Sequence, residues 1–184
     1  MTRRLTGRLL VATPVIDDPN FERTVVFLLE HSERGALGVV LNRPTDIEVA
    51  EPLPQWASFA ADPGVVFAGG PVDVQQAVAI GEAIEASATR GFEPVAGTLG
   101  TVDLSLDPAA LETGLRWVRI FVGYAGWGPG QLEAERRAGA WFDVELAMGD
   151  VPSMAPDELW GSTLARQGPP LAWFARFPDE PSTN

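Results

Sequence analysis

The residues between Gly123 and Trp141 constrain the fold of this chain more than any other stretch. An apolar run from Trp117 to Tyr124 leads straight into glycines at 123, 126, 128 and 130, and a second apolar run, Trp141 to Leu146, begins eleven residues after the last of them. Glu133 stands at helical spacing from Arg136 and Arg137, which predicts a short helix over about 130–138. Pro129 suits the first helical position, where a missing N–H leaves nothing unpaired, and Gly139 is placed to end the helix in a left-handed cap. The stretch therefore reads strand, glycine turn, helix, strand. Glycines this dense mark close approaches or backbone shapes that a Cβ would forbid.

Upstream, Gly7–Ala12 reads as a buried strand because its apolar residues do not alternate with polar ones. Thr13–Asn20, with Pro14, Asp17, Asp18 and Pro19, is a loop. Thr24–Glu30 and Ala36–Asn42 are two further strands, and the short connection His31–Gly35 predicts an antiparallel hairpin. Val49, Leu53, Trp56 and Phe59 recur at spacings of three and four, so the periodicity predicts a helix within 47–61, started or interrupted by Pro52 and Pro54.

Strands are expected at 65–68 and at 74–80, where Gln75–Val78 would also tolerate a helix, with an exposed loop at 82–91 and extended structure over 95–106 broken by Gly97 and Gly100. Asp107 is placed as an N-cap with Pro108 at the first helical position, and 116–124 is a long strand. A last helix is expected within 155–167. Hairpins mixed with helices indicate an α+β architecture. No repeat or linker divides the chain, so one domain is expected over residues 1–177, followed by a mobile tail, 178–184, too polar to offset the entropy of ordering it.

Charge narrows the functional classes. The formal net charge is −12, and every one of the 13 basic residues is arginine. Such a chain repels polyanions on average, which argues against specific nucleic-acid binding. A local basic patch at the amino terminus, Arg3, Arg4 and Arg8, remains open beside its reading as a solvated end. Without lysine there is no phosphate-binding P-loop and no Schiff-base chemistry, and without cysteine there are no disulfides or thiolates. No apolar run reaches membrane-spanning length and no signal peptide is evident, so the expected location is cytoplasmic, with no membrane contact.

The catalytic inventory is thin. A single histidine, His31, excludes a two-histidine zinc motif and reads as a turn residue with an ordinary hydrogen bond. No metal site and no cofactor are expected. Asp17, Asp18 and Glu30 are the carboxylates that the fold could bring together, against their alternative as solvated surface groups. Asn42-Arg43-Pro44 and Gly69-Gly70-Pro71 lie at strand ends, where ligands of open sheets gather. Arg43 offers a bidentate fork for a carboxylate or phosphate, and the helix start at 128–131 offers unpaired amides. Trp117 and Trp141 read as sheet packing, whereas Trp127 sits in the turn without an obvious packing role.

Taken together, several segments resemble the bacterial AlgH/YqgE family: Leu9–Pro14, Asp18–Val26, Glu30-His31, Gly35–Pro44, Gly69–Val72, Gly123–Glu133 and Trp141. The resemblance implies an α+β fold whose bifurcated, mixed or antiparallel sheet forms a pseudo-barrel with helices outside. It implies a transcriptional-regulator label but no biochemical activity and no catalytic residues, and a redox role through cysteine does not transfer to a chain without one. The site-like residues Asn42, Arg43, Gly69, Gly70, Tyr124, Gly126, Trp127, Gly128 and Gln131 all fall in the matching segments, and one shared surface is expected from them. The leading functional expectation is a regulatory or interaction module, rather than an enzyme, that binds a protein or a small anionic ligand. The alternatives are an enzyme acting on a small anionic substrate, with Asp18 or Glu30 as base, and a DNA-binding regulator. The oligomeric state is left open.

Overall fold

The apolar run Leu9–Ala12 forms strand β1, buried along its whole length. It pairs antiparallel with β2 (Val25–Ser32), which pairs antiparallel with β3 (Gly35–Val40) as the short connection requires. The computed structural model describes residues 4–85, 89–111 and 114–177; the expected C-terminal tail and Arg3 lie outside them. The hairpin turn is tighter than expected. His31 and Ser32 continue the ladder to Ala36 and Gly35, and the turn itself is Glu33-Arg34.

The chain continues through β4 (Pro44–Glu48), β5 (Val65–Ala68), β6 (Val72–Ala83), β7 (Phe92–Ala96), β8 (Leu99–Val102) and β9 (Leu115–Trp127). Helix α1 (Gln131–Arg137), strand β10 (Trp141–Val144) and the short helices α2 (Leu159–Ala165) and α3 (Leu171–Phe174) complete it. The sheet runs β10-β1-β2-β3-β9-β6-β8-β7, with β5 joined to β9 and β4 to β5. Its ladders are antiparallel apart from β5–β9, so the fold is α+β with a mostly antiparallel sheet.

The sheet forks at β9. One edge of β9 carries β6; the other carries β5 at Phe121–Val122 and then β3 at Ala125–Trp127. Gly123, between those two contacts, has φ +69, and a Cβ there would stand 2.3 Å from the Gly70 carbonyl oxygen. The end strands β10 and β7 do not pair, so the sheet is not closed into a barrel. It curls until the turn before β1 meets β7, where a Cβ on Gly7 would lie 3.0 Å from the Ala96 Cβ.

Period-two geometry explains why the first strands lack polar alternation. Leu9, Val11, Val25 and Phe27 face a core shared with Phe67, Phe121 and the α2 residues Leu159, Trp160 and Leu164. Leu10, Ala12, Val26 and Leu28 face the opposite side, covered by Leu5, Trp127, Leu132 and Trp141. A third cluster gathers Val49, Trp56, Val66, Val118 and Ile120.

Several sequence expectations are corrected. Residues 44–48 are strand, and the helical part of 47–61 is a 3-10 turn, Pro54–Phe59. Pro52 and Pro54 lack the N–H groups an α-helix would need there, although the periodic Val49 and Trp56 do face one core. The glycine stretch is strand through Trp127, so the turn is confined to 128–130, and Pro129 precedes the helix instead of opening it. Gly139 does cap α1 with φ +80. Gly97 turns β7 into β8, whereas Gly100 lies within β8 because a Cβ there would meet the Glu93 carbonyl oxygen at 2.1 Å. The expected loop at 82–91 begins later, since Glu82 and Ala83 belong to β6, and residues 86–88 of it lie outside the described set. The helix after Asp107 is 3-10, with the Ala109 N–H donated to Asp107 Oδ1 at 3.0 Å. The expected last helix divides into a 3-10 turn, Pro156–Glu158, and α2; the sequence gives no sign of α3 beyond it.

Candidate functional site

Asn42 follows the end of β3, directly beyond the point where β2 and β3 stop pairing. Its Oδ1 accepts the Val25 N–H at 2.9 Å and its Nδ2 donates to the Arg23 carbonyl at 2.8 Å. The next residue, Arg43, donates from Nη2 to the Glu22 carbonyl at 2.5 Å. The Asn42-Arg43 pair thus grips the corner at residues 22–25 by three bonds. That grip holds Arg23 at φ +52, a left-handed backbone that a residue with a Cβ adopts only when its surroundings impose it.

The consequence is where Arg23 points. Its guanidinium carbon lies 4.6 Å from the centroid of the Trp160 ring, and Nη2 donates to the Phe177 carbonyl at 2.6 Å. Trp160 is fixed in turn, buried and donating its indole N–H to the Ala12 carbonyl at 2.9 Å. A stacked, partly desolvated cation of this kind is attracted by the ring face. Around these groups opens a cleft of about 520 Å³, lined by Arg23, Asn42 and Arg43 from the ends of β2 and β3 and by Asp157, Glu158, Trp160, Gly161, Ser162 and Ala175 from the C-terminal part of the chain. Arg23, Arg43, Asp157 and Glu158 therefore line a common space. The chemistry on offer is charge recognition; neither Asp18 nor Glu30 is among the lining residues. Asp18 Oδ1 instead accepts the Asn20 N–H at 2.9 Å, and Glu30 lies opposite Leu37, far along β2 from Arg43.

The other sequence-predicted residues divide into two groups. Gly69 and Gly70 lie at the fork: the Gly69 N–H bonds the Val122 carbonyl at 2.8 Å, and a Cβ on Gly70, at φ +151, would stand 2.2 Å from the Tyr124 carbonyl carbon. Gly69 also accepts the Val40 N–H, and Arg43 accepts the Ala68 N–H, so Asn42, Arg43, Gly69, Gly70 and Tyr124 are neighbours through the backbone. The Tyr124 hydroxyl donates to Asp73 Oδ2 at 3.3 Å; partial burial and then the Asp73 charge hold its phenol above the ordinary pKa.

Trp127, Gly128 and Gln131 are elsewhere, with Gly126 between the groups. Ala36 pairs with Trp127, and Arg43 lies seven residues further along an extended chain, roughly 20 Å away at ~3.3 Å per residue. The expected single surface is therefore two. The turn amide is also occupied, because the Gly128 N–H donates to Gln131 Oε1 at 3.0 Å. Trp127 does have a packing role: it is buried, packs against Phe21 and Trp141, and donates its indole N–H to Glu135 Oε2 at 2.9 Å.

Sequence reasoning missed Arg23, Asp157, Glu158 and Trp160, whose grouping comes from a crossing of distant segments. It also placed His31 on a turn. His31 is buried on β2, its Nδ1 accepting the Leu5 N–H at 3.0 Å and its Nε2 paired with Glu133 Oε1 at 2.8 Å. Nδ1 is thereby the unprotonated nitrogen and Nε2 the donor.

The AlgH-like (DUF179) family model matches residues 9–172. The chain belongs to the AlgH-like family. It is 53% identical to UPF0301 proteins of Streptomyces avermitilis and Streptomyces coelicolor, over 98% of its own length and 95% of theirs. A Corynebacterium diphtheriae protein of known crystal structure matches with a TM-score of 0.90 at 31% identity, over 96% of this chain and 94% of that one. The solution structure of the AlgH protein from Pseudomonas aeruginosa matches with a TM-score of 0.71 at 30% identity, over 98% and 100%. Membership in the AlgH-like family fixes the fold and assigns no ligand or reaction. Among the described residues no helix is long and apolar enough to cross a membrane, and no three metal-ligating side chains converge.

Proposed function

We propose that this AlgH-like chain is a cytoplasmic regulatory or interaction module that binds a carboxylate-bearing partner or small anion in the cleft formed by Arg23, Arg43 and Trp160. The observation that carries the reading is the grip of Asn42-Arg43 on the 22–25 corner, which spends a strained backbone to hold one arginine over an indole. Strain retained at an open cleft is characteristic of recognition sites. Arg43 lines the cleft and uses one of its five N–H groups on Glu22, which leaves donors of its fork for a second acceptor.

Removing a charge-assisted contact of this type loses about 1.5–3 kcal/mol, roughly ten- to a hundredfold in affinity. Arg43→Ala is expected to weaken binding of an acidic peptide or inorganic phosphate by that factor, followed by NMR titration, with little change in melting temperature. A large fall in melting temperature with unchanged binding would make Arg43 a purely structural clip. On this reading the transcriptional-regulator label is indirect: the net charge of −12 opposes contact with DNA, and sub-micromolar, sequence-selective binding in an anisotropy titration would overturn that.

A further inference from the structure

The two parts of the chain that line the cleft carry opposite charge. Arg23 and Arg43 come from the β2 and β3 ends, Asp157 and Glu158 from the 3-10 turn before α2, and Trp160 from α2 itself. Asp157 and Glu158 are exposed and form no ion pair among the described residues. A purely anionic ligand would meet attraction from the arginines and repulsion from the two acids. Specificity built this way rejects as well as selects, because like charges across a contact are penalised.

Resting on the reading of this cleft as the binding site, we infer that its occupant is a dipolar segment of a protein, carrying a carboxylate and a cationic side chain a few residues apart. The carboxylate sits at Arg43 beside Arg23, and the cation sits at Asp157 and Glu158. A cleft of about 520 Å³ suits a segment of several residues better than a single inorganic anion.

The test uses the full chain and three capped tetrapeptides: Ac-Asp-Ala-Ala-Lys-amide, Ac-Asp-Ala-Ala-Ala-amide and Ac-Ala-Ala-Ala-Lys-amide. NMR titration is expected to show the dipolar peptide binding about tenfold tighter than either singly charged one, the gain of one charge-assisted contact. In the double variant Asp157→Asn, Glu158→Gln, the dipolar advantage is expected to vanish while the acidic peptide binds as well as before or better. Arg43→Ala weakens both carboxylate-bearing peptides. Amide spectra report that the variants remain folded, which the exposure of both acids favours. If the acidic peptide matches or exceeds the dipolar one on the wild-type chain, the dipolar inference falls and the anion-binding reading stands. If none of the peptides shifts cleft resonances, both fall.

Discussion

Asn42 holds Arg23 from both sides of one peptide corner: its amide nitrogen donates to the Arg23 carbonyl at 2.8 Å while its oxygen accepts the Val25 N–H at 2.9 Å. No other side-chain type at this position supplies donor and acceptor in that fork with the same length. Asn42→Ala leaves a buried N–H and a carbonyl unpaired and is expected to destabilise the fold by about 2–3 kcal/mol. Asn42→Asp keeps the acceptor, loses the donor and should fall further than a simple hydrogen-bond deletion, since a carboxylate then faces a carbonyl. Urea unfolding of both variants measures this, and wild-type stability in Asn42→Ala would refute the clamp.

Glu135 is the shared acceptor of two indoles. Its Oε2 takes the Trp127 and Trp141 N–H groups at 2.9 and 2.8 Å, and its Oε1 takes the Gln131 amide at 2.9 Å. Glu135→Leu strands two buried donors and is expected to lower stability by about 2–4 kcal/mol and shift tryptophan emission. Glu135→Gln should lose roughly half of that. Unchanged emission and stability in Glu135→Leu would show the indoles finding other acceptors.

Gly70 and Gly130 both have positive φ, yet they should respond differently to alanine. At Gly70 the added Cβ would meet backbone of Tyr124 at 2.2 Å, and only parting of the fork relieves it; at Gly130 nothing lies within 4 Å. Gly130→Ala is expected to cost about 1 kcal/mol, the strain of the left-handed backbone alone. Gly70→Ala should exceed about 3 kcal/mol or abolish folding. Thermal melts compare them, and equal losses would mean the β5–β9 approach is not tight.

Arg119 is buried in the middle of β9, donating Nη1 to the carbonyls of Val151 at 2.8 Å and Ser153 at 3.0 Å, and Nη2 to the Asp62 carbonyl at 2.5 Å. Desolvation pulls its pKa down to about 10, with the Asp62 charge opposing the shift. Arg119→Met removes the donor of three carbonyls that join two loops to the sheet. The expected loss is about 2–4 kcal/mol by denaturant unfolding; equal or greater stability would mean that the desolvation penalty dominates.

Glu133 should give stability a dependence on acid. A hydrogen bond from its own backbone N–H, and then the bond to His31, hold its carboxyl below the ordinary 4.5. The unfolded chain then binds more protons than the folded one as pH falls. The contribution is therefore complete above about pH 4.5 and is lost as pH drops through the lower folded value. Glu133→Gln is expected to be less stable than wild type at neutral pH, with the gap narrowing below pH 4.5. A gap that stays constant between pH 7 and pH 3 would exclude the ionised form as the source.

Elements whose pattern is local were legible in the amino-acid order. The unbroken apolar runs at Leu9–Ala12 and Val25–Leu28 announce strands buried on two faces, the short connection after β2 forces the hairpin with β3, and Gly139 ends α1 where a left-handed residue is needed. Each of those signals is carried by neighbours in the chain. The tertiary structure alone decided what the glycines of β9 and the arginines are for. Gly123 serves the fork because Gly70 crosses it from more than fifty residues away. Trp127 became core because Trp141 and Glu135 close over it, and Arg23 reached the cleft because Asn42 bends its backbone and Trp160 supplies the ring. Hydrogen bonds and ring contacts between distant segments leave no periodicity in either segment. That is why the hairpin was legible and the cleft was not.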